Sequence, residues 1–399
     1  MILRNHEFEA ALFDHPDDDA AWAIYGDWLA AHGDTRGEII QLELAIAAGD
    51  RSPALCSRYA KLMVEEHPRW VGAPLQAMLD EVDASRTLTV EWRRGHLLDA
   101  QILAPGSQAA AARLSALLGS PTAMMLERIF VSIDADRDDR VALDPEIWQQ
   151  TQLGALRQLT LDAWTFRRAG PALIDLAFDW DRAWPRLEVL RLHAAHWRLS
   201  PPRLVRLRKL ELSTRHGVEL EPLRMLALAE LPALEHLALF FGRLAPEDHD
   251  DLSESSPPGR EFADILADIF AMAGRSAVVR LALVALDQPE ILLAQLGKAR
   301  ALLDQLERLY LGWGLLGDEH VAALAELLGR CPRLREVDVG GNYLGELGVA
   351  ALRAALGSGV RVDGLADQKA DRGRADRQIP IFGRYGIAED HYDTWDDAD

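Results

Sequence analysis

Two periods run through this chain. After residue 126 the apolar residues fall into short groups of the form Leu-x-x-Leu-x-Leu. Before residue 84 they recur every three or four positions. The groups start at Leu126, Leu156, Leu187, Leu207, Leu234, Val278, Leu306 and Leu334, with a degenerate ninth at Val360. Their spacings are 30, 31, 20, 27, 44, 28 and 28. In the most regular pair, Leu306, Leu309 and Leu311 are followed 28 residues later by Leu334, Val337 and Val339. Alternation within a group predicts a strand, and the periodic segments at 318–328 and 347–356 predict helices. A strand and a helix repeating together predict a stacked solenoid of parallel strands.

Two spacings depart from the mode. The interval of 20 holds Ser200-Pro201-Pro202 in place of a helix. The interval of 44 holds a Pro-, Asp- and Ser-rich stretch at about 245–260, read as an inserted surface loop. Ahead of the repeats, residues 87–103 alternate on both sides of Arg94-Gly95, which predicts a hairpin acting as an entry cap. An alanine-rich helix is expected over 108–118. Residues 365–399 form a charged tail, with 379–385 read as one further capping strand.

Residues 1–84 are predicted helical. Asn5 can cap a first helix carrying Phe8 and Leu12. A second helix, after the acidic turn 14–19, carries Trp22, Tyr25, Trp28 and Leu29, and Gly33 suits its left-handed end. Thr35 and Glu38 have capping-box spacing for a third helix. Ser52-Pro53 opens a fourth, which Pro68 is expected to stop, and a last helix follows with Trp70 and Leu75.

The run Tyr25 to Glu43, YGDWLAAHGDTRGEIIQLE, resembles the bacterial repeat-companion domain. Tyr25, Asp27, Trp28, Leu29, Gly33, Asp34, Gly37 and Glu38 match that pattern, and Gly26 stands where the family has a small alanine. The resemblance covers roughly a tenth of the chain. It implies a leucine-rich repeat companion, and no biochemical activity. The last two repeats are similar to the ribonuclease-inhibitor type of leucine-rich repeat, with Asn342 at that family's asparagine position. The fold expected is therefore α/β, a leucine-rich repeat solenoid with parallel strands on the concave side and helices on the convex side, preceded by a small all-α domain. The expected divisions are 1–84 (companion domain), 85–125 (cap), 126–364 (repeats) and 365–399 (tail).

The formal charge of −20 over 399 residues disfavours nucleic acid or an anionic membrane as partner. Two cysteines, Cys56 and Cys331, give no disulfide framework, and a reducing cytoplasm is the expected location. The first residues read as no signal peptide, and no apolar run reaches membrane-spanning length.

Among chemical motifs, no nucleophile elbow, phosphate loop, HExxH or paired CxxC occurs. Asp134-Ala-Asp136-Arg-Asp138 begins like a calcium loop but has Asp139 where glycine is required. His249-Asp250-Asp251 falls in the insertion. No metal and no cofactor is therefore expected. Residues between the strand leucines should face the concave side, where rigid aromatics anchor partners. Phe130, Phe240, Tyr310 and Trp313 are the exposed anchors expected there, with Arg191, His193 and Asp338 supplying polarity. The expected function is non-enzymatic binding of a protein partner. The alternative is a regulatory or toxin-linked component with an enzymatic N-terminal module, for which Asp27, His32, Asp34 and His391 are the residues to consider.

Overall fold

Apolar side chains at helical spacing build the first five elements: α1 (His6–Asp14), α2 (Asp19–Ala31), α3 (Arg36–Ala47), α4 (Pro53–Val71) and α5 (Ala73–Leu79). The computed structural model describes residues 3–81, 87–134, 148, 153–164, 173–194, 196–213, 220–241 and 259–363. By its contacts the chain divides into two compact units, 1–190 with 203–207, and 191–202 with 208–399. Most of the predicted insertion, the tail, His391 and most of the calcium-like loop lie outside the described residues.

In the first unit, Asn5 caps α1 by accepting from the N–H groups of Glu7 and Phe8, and Asp18 caps α2 through those of Ala20 and Ala21. Gly33 (φ 76°) and Gly49 (φ 101°) follow α2 and α3 in the left-handed region. α2 and α3 meet backbone to backbone: a Cβ on Gly37 would lie 2.4 Å from the Gly26 oxygen and 2.5 Å from the Ala30 nitrogen. Leu12, Trp22, Tyr25, Leu29 and Ile40 close one core with Met124 and Met125. Ile39, Leu62 and Trp70 form another.

Two helix boundaries differ from expectation. Pro68 does not stop α4, which runs on to Val71. The final turn buries Trp70 and Val71, and the Trp70 indole N–H donates to Thr35 Oγ1 at 3.1 Å. These anchors outweigh the hydrogen bond that the proline removes. Nor do Thr35 and Glu38 form a capping box. Thr35 already has helical backbone angles, and Asp34 Oδ1 accepts from the Arg36 N–H at 3.0 Å instead. Glu38 pairs with Arg58.

β1 (Leu88–Arg93) and β2 (His96–Ala104) pair antiparallel as predicted. Arg94 (φ 55°) and Gly95 (φ 71°) make the two left-handed residues that a tight hairpin turn requires. After α6 (Ser107–Leu118), β2 pairs parallel with β3 (Arg128–Asp134), and β3 with β4 (Gln158–Trp164). Ile129 and Val131 stand in register with Leu159 and Leu161, all buried. β5 (Leu173–Leu176) and α7 (Trp180–Ala183) follow. The buried rings of Trp148 and Trp184 meet edge to face at 5.4 Å.

β6 (Val189–Ala194) enters the second unit at Arg191. It is followed by β7 (His196–Leu199), β8 (Lys209–Ser213), α8 (Leu220–Ala227), β9 (His236–Phe240), α9 (Gly259–Arg275) and β10 (Arg280–Val284). Then come α10 (Pro289–Lys298), α11 (Arg300–Leu303), β11 (Arg308–Tyr310), α12 (Val321–Leu328), β12 (Glu336–Asp338), α13 (Glu346–Leu356) and β13 (Arg361–Asp363). β8 to β13 pair in parallel, each with the next. The helices keep the same order, α8 on α9, α9 on α10 and α11, and α12 on α13. α9 turns Phe262, Ile265, Leu266, Ile269, Phe270 and Ala273 inward at helical spacing.

Asn342, fully buried, ties two successive strand ends together. Its amide donates to the carbonyls of Leu311 (2.5 Å) and Val339 (2.8 Å) and accepts from the Leu316 N–H (3.3 Å). One side chain thus satisfies backbone groups that burial would otherwise leave orphaned. Both units are mixed α/β with mainly parallel strands. No helix among the described residues is long and apolar enough to cross a membrane.

Candidate interaction surface

Alternation sends the strand leucines of the second unit to one side and three rows of other residues to the opposite side. Register fixes those rows. The first runs Lys209, His236, Arg280, Arg308, Glu336, Arg361 across β8 to β13. The second runs Glu211, Ala238, Ala282, Tyr310, Asp338, Asp363, and the third holds Ser213, Phe240 and Val284.

Ala238, Phe240, Ala282, Val284 and Ala285 form a buried apolar cluster on this face, with half-buried Tyr310 and Trp313 packed against it. Phe240 was expected as an exposed anchor; the structure leaves it only 5% exposed, covered within this cluster. Tyr310 and Trp313 sit on glycine seats. A Cβ on Gly312 would lie 2.4 Å from the Tyr310 ring, and one on Gly341 would lie 2.6 Å from the Trp313 ring. The rings therefore lie where a Cβ on either glycine would stand, space that only glycine leaves clear.

The backbone beneath Trp313 is itself unusual. Ala285 (φ 59°), Trp313 (φ 58°) and Gly341 (φ 69°) occur at 28-residue steps, all in the left-handed region. The Ala285 N–H donates to the Gly312 carbonyl at 2.9 Å, and the Trp313 N–H to that of Gly340 at 2.8 Å. The repeat imposes this conformation, and glycine fills it at one step only. A non-glycine residue there costs roughly 1–2 kcal/mol. Bulky residues in strained backbone concentrate at functional positions.

The remaining candidates divide. Asp338 stands beside Tyr310 in register and accepts from the Gly340 N–H at 2.8 Å. Arg191 is engaged by Glu211 at 2.9 Å, and Lys209 reaches the other oxygen of that carboxylate at 3.2 Å. Burial would raise the Glu211 carboxyl, but Lys209 and Arg191 hold it below its ordinary range. Burial pushes His193 down to about 4, so it is neutral at physiological pH. Phe130 is half-buried on β3 in the first unit, in register with Thr160, and is not part of the cluster. Alternation places Ala282 and Val284 on this face from the sequence, but the left-handed Ala285 was missed. The signal was the 28-residue step that aligns Ala285 with Trp313 and Gly341.

In the first unit the alternative candidates take structural partners. Asp27 accepts from the Gln41 amide at 2.9 Å, and His32 Nδ1 lies 2.7 Å from the Trp28 carbonyl. Asp34 lies in a buried chain of polar contacts. Arg36, with no exposed surface, donates to Asp34 (Nη2, 2.7 Å) and to the Leu3 carbonyl (2.7 Å), and its Nη1 lies 3.1 Å from His96 Nε2. His96 Nδ1 lies 2.8 Å from the Arg94 carbonyl, which assigns the ring proton to Nδ1 and the lone pair to Nε2. Burial, with Arg36 beside it, drives His96 down to about 3. A cleft of about 750 Å³ is lined by Asp14, His15, Asp17, Asp18, Glu127 and Arg157. Arg186 and Arg206 engage Asp14, Arg93 engages Asp17, and Asp18 serves as a cap. Among the described residues no group of three or more His, Cys, Asp or Glu is placed to hold a metal ion.

Asp162, 6% exposed on β4, has an Oδ1 without a hydrogen-bond partner, and burial lifts its carboxyl to about 8. The folded state therefore holds a proton on Asp162 that the unfolded chain releases near 3.9, so Asp162 lowers stability as pH rises through that window. His96 acts oppositely below about 6.5, where only the unfolded chain is protonated. The two slopes cancel between about 4 and 6.5, and Asp162 alone acts from there to 8. Stability of the first unit is thus expected to fall between pH 6.5 and 8, by at most about 1.4 kcal/mol per pH unit from this group. Denaturant titrations at several pH values should show that limb flattened in Asp162→Asn. Parallel limbs in the two proteins would remove the assignment.

No family model matches this chain, and no curated protein matches it. Among solved structures, a Bacteroides fragilis protein from a structural genomics programme is 16% identical, covering 67% of this chain and 66% of its own, with a TM-score of 0.44. TLR13 in its complex with ssRNA13 is 12% identical, covering 65% of this chain and 48% of its own, with a TM-score of 0.21. The chain thus spans less than two thirds of the length of either structure, and at these TM-scores neither likeness carries an argument about site or activity.

Proposed function

We propose that this chain is a non-enzymatic, cytoplasmic protein-interaction module of the leucine-rich repeat class. Its repeats are of the ribonuclease-inhibitor type, and a repeat-companion module stands at its N-terminus. The binding face is the non-leucine side of β9 to β12, and its ligand is a protein. One observation carries the reading: Trp313 is kept in a left-handed backbone conformation, half-buried with Tyr310 against a cluster of Ala238, Phe240, Ala282, Val284 and Ala285. A rigid aromatic pair on a flat backbone loses little side-chain entropy on binding and contributes a large contact area.

The test is affinity capture from the native cell with the full chain as bait. Proteins retained by the native chain should be lost with Tyr310→Ala combined with Trp313→Gly, the second change also relieving the left-handed strain. Equal retention by both baits, or no specific retention, would reject the face as a binding site. The enzymatic alternative would draw on Asp27, His32 and Asp34, whose partners are the Gln41 amide, the Trp28 carbonyl and Arg36.

A further inference from the structure

The turns around Trp313 carry charge of one sign. Residues 285–290, 313–320 and 341–346 lead away from β10, β11 and β12. They are tied side by side. Gly317 bridges Tyr343, the Gly345 N–H donates to Asp318 Oδ1 at 2.8 Å, and His320 Nε2 lies 3.3 Å from Glu290. Together they hold five carboxylates, Asp287, Glu290, Asp318, Glu319 and Glu346. All five are exposed, Glu290 at 76% and Glu319 at 73%. Residues 259–363 contain eleven arginines and lysines, and none falls in these turns, so this is not the mixed charge of an ordinary surface. The described ion pairs give the five carboxylates only His320, which meets Glu290 and Glu319.

Glu290, Asp318, Glu319 and Glu346 stand where α10, α12 and α13 begin, and the macrodipole favours acids there. That explains their place but not their sum. Three helix N-termini contribute about +1.5 charge together, against five carboxylates. The excess lies among apolar side chains that keep surface of their own. Trp313, Leu315 and Tyr343 are half-buried, and Leu347, next to Glu346, is 85% exposed. The carboxylates do not converge on an ion, since among the described residues no three His, Cys, Asp or Glu are placed to hold one. Spread acids interleaved with apolar groups fit an extended ligand with cationic heads on apolar stems, the build of arginine and lysine side chains.

We propose that the partner of the Tyr310–Trp313 face presents a basic segment to these turns. Its arginines or lysines pair with Asp287, Glu290, Glu319 and Glu346, and their stems lie on Trp313, Leu315 and Leu347. This rests on the reading of that face as a protein-binding surface and names what the protein carries there. Exposed charges at the edge of an interface act on encounter more than on the finished complex. Association is therefore expected to be fast at low salt and to slow as salt screens the turns.

The test uses the full chain and a fluorescein-labelled peptide of alternating arginine and leucine, with a glutamate–leucine peptide as its counterpart. Two variants are compared with the native chain. One neutralises the turns, by Asp287→Asn, Glu290→Gln, Glu319→Gln and Glu346→Gln. The other removes the same charge from exposed helix positions of the second unit, by Glu221→Gln, Asp264→Asn, Asp268→Asn and Asp304→Asn. The arginine peptide is expected to bind the turn variant about tenfold more weakly than the helix variant, the size of loss that several exposed pairs give together. In the native chain it should shift the amide signals of Trp313, Leu315 and Glu319. Equal affinity for the two variants would mean that net charge alone attracts the peptide, and overturns the proposal. Equal binding of the glutamate peptide overturns it as well. Affinity capture separates this proposal from the face itself. Proteins lost with Tyr310→Ala and Trp313→Gly should be lost from the turn variant too. If the turn variant retains them, the face stands and the basic partner is wrong. If the native chain retains no specific protein, the face is rejected and the basic partner with it.

Discussion

Replacing Gly37 by alanine is expected to destabilise the first unit by about 3 kcal/mol or more, the upper end of what overpacking costs. For a unit of this size that is a fall of roughly 6–12 °C in its melting midpoint. The added Cβ would lie 2.4 Å from the Gly26 oxygen and 2.5 Å from the Ala30 nitrogen. Both are backbone atoms of α2, so no side-chain rotation relieves the clash and the two helices must separate. Their separation would loosen Tyr25, Leu29 and Ile40 in the same core. Gly33 supplies the control. It has no atom within 4 Å of a built Cβ, but its φ of 76° strains any other residue. Gly33→Ala should therefore cost only about 1–2 kcal/mol. Differential scanning calorimetry of both variants checks the order. A smaller loss at Gly37 than at Gly33 would mean that α2 and α3 do not meet as closely as described.

The same pair of glycines shows what the sequence made legible. Gly33 reads directly, because a glycine after an apolar-periodic helix has a local reason to be there. Gly37 matches a family pattern, yet its physical role depends on a helix that folds back on it, and no local rule states that. The strands were legible because their signal repeats: each of the nine apolar groups is a strand, and even the irregular 20-residue interval crosses without a helix. Pro68 and the Thr35–Glu38 pair were misread for different reasons. Pro68 is overridden by Trp70, buried and bonded to Thr35, whereas the capping box is displaced by Asp34, which takes the Arg36 N–H, and by Arg58, which takes Glu38. The candidate face was half legible. Alternation placed Tyr310, Asp338 and Phe240 on one side correctly. Exposure depends on what lies beside a residue, so Phe240 could not be told from Tyr310 by period alone.

Arg36→Met is expected to cost about 3–5 kcal/mol, the loss that follows when one partner of a buried ion pair is removed. Methionine fills much of the volume, so the loss is electrostatic rather than a cavity. It strands three groups together. Asp34 loses the guanidinium that offsets its burial and holds its carboxyl below the ordinary range. His96 Nε2 loses its donor, and the Leu3 carbonyl loses the hydrogen bond that ties the N-terminal residues to α3. Acid unfolding separates these contributions. In the native chain Asp34 stabilises the fold above about pH 4, and that contribution is lost as pH falls through its depressed folded value. In Arg36→Met only the backbone N–H of residue 36 still opposes the larger effect of burial on Asp34, so this part of the acid limb should shrink. Adding Asp34→Asn to Arg36→Met should then recover part of the stability, because the uncompensated buried charge is gone. A double-mutant cycle from urea titrations reads the coupling directly. A coupling energy near zero would mean that Asp34 and Arg36 act independently.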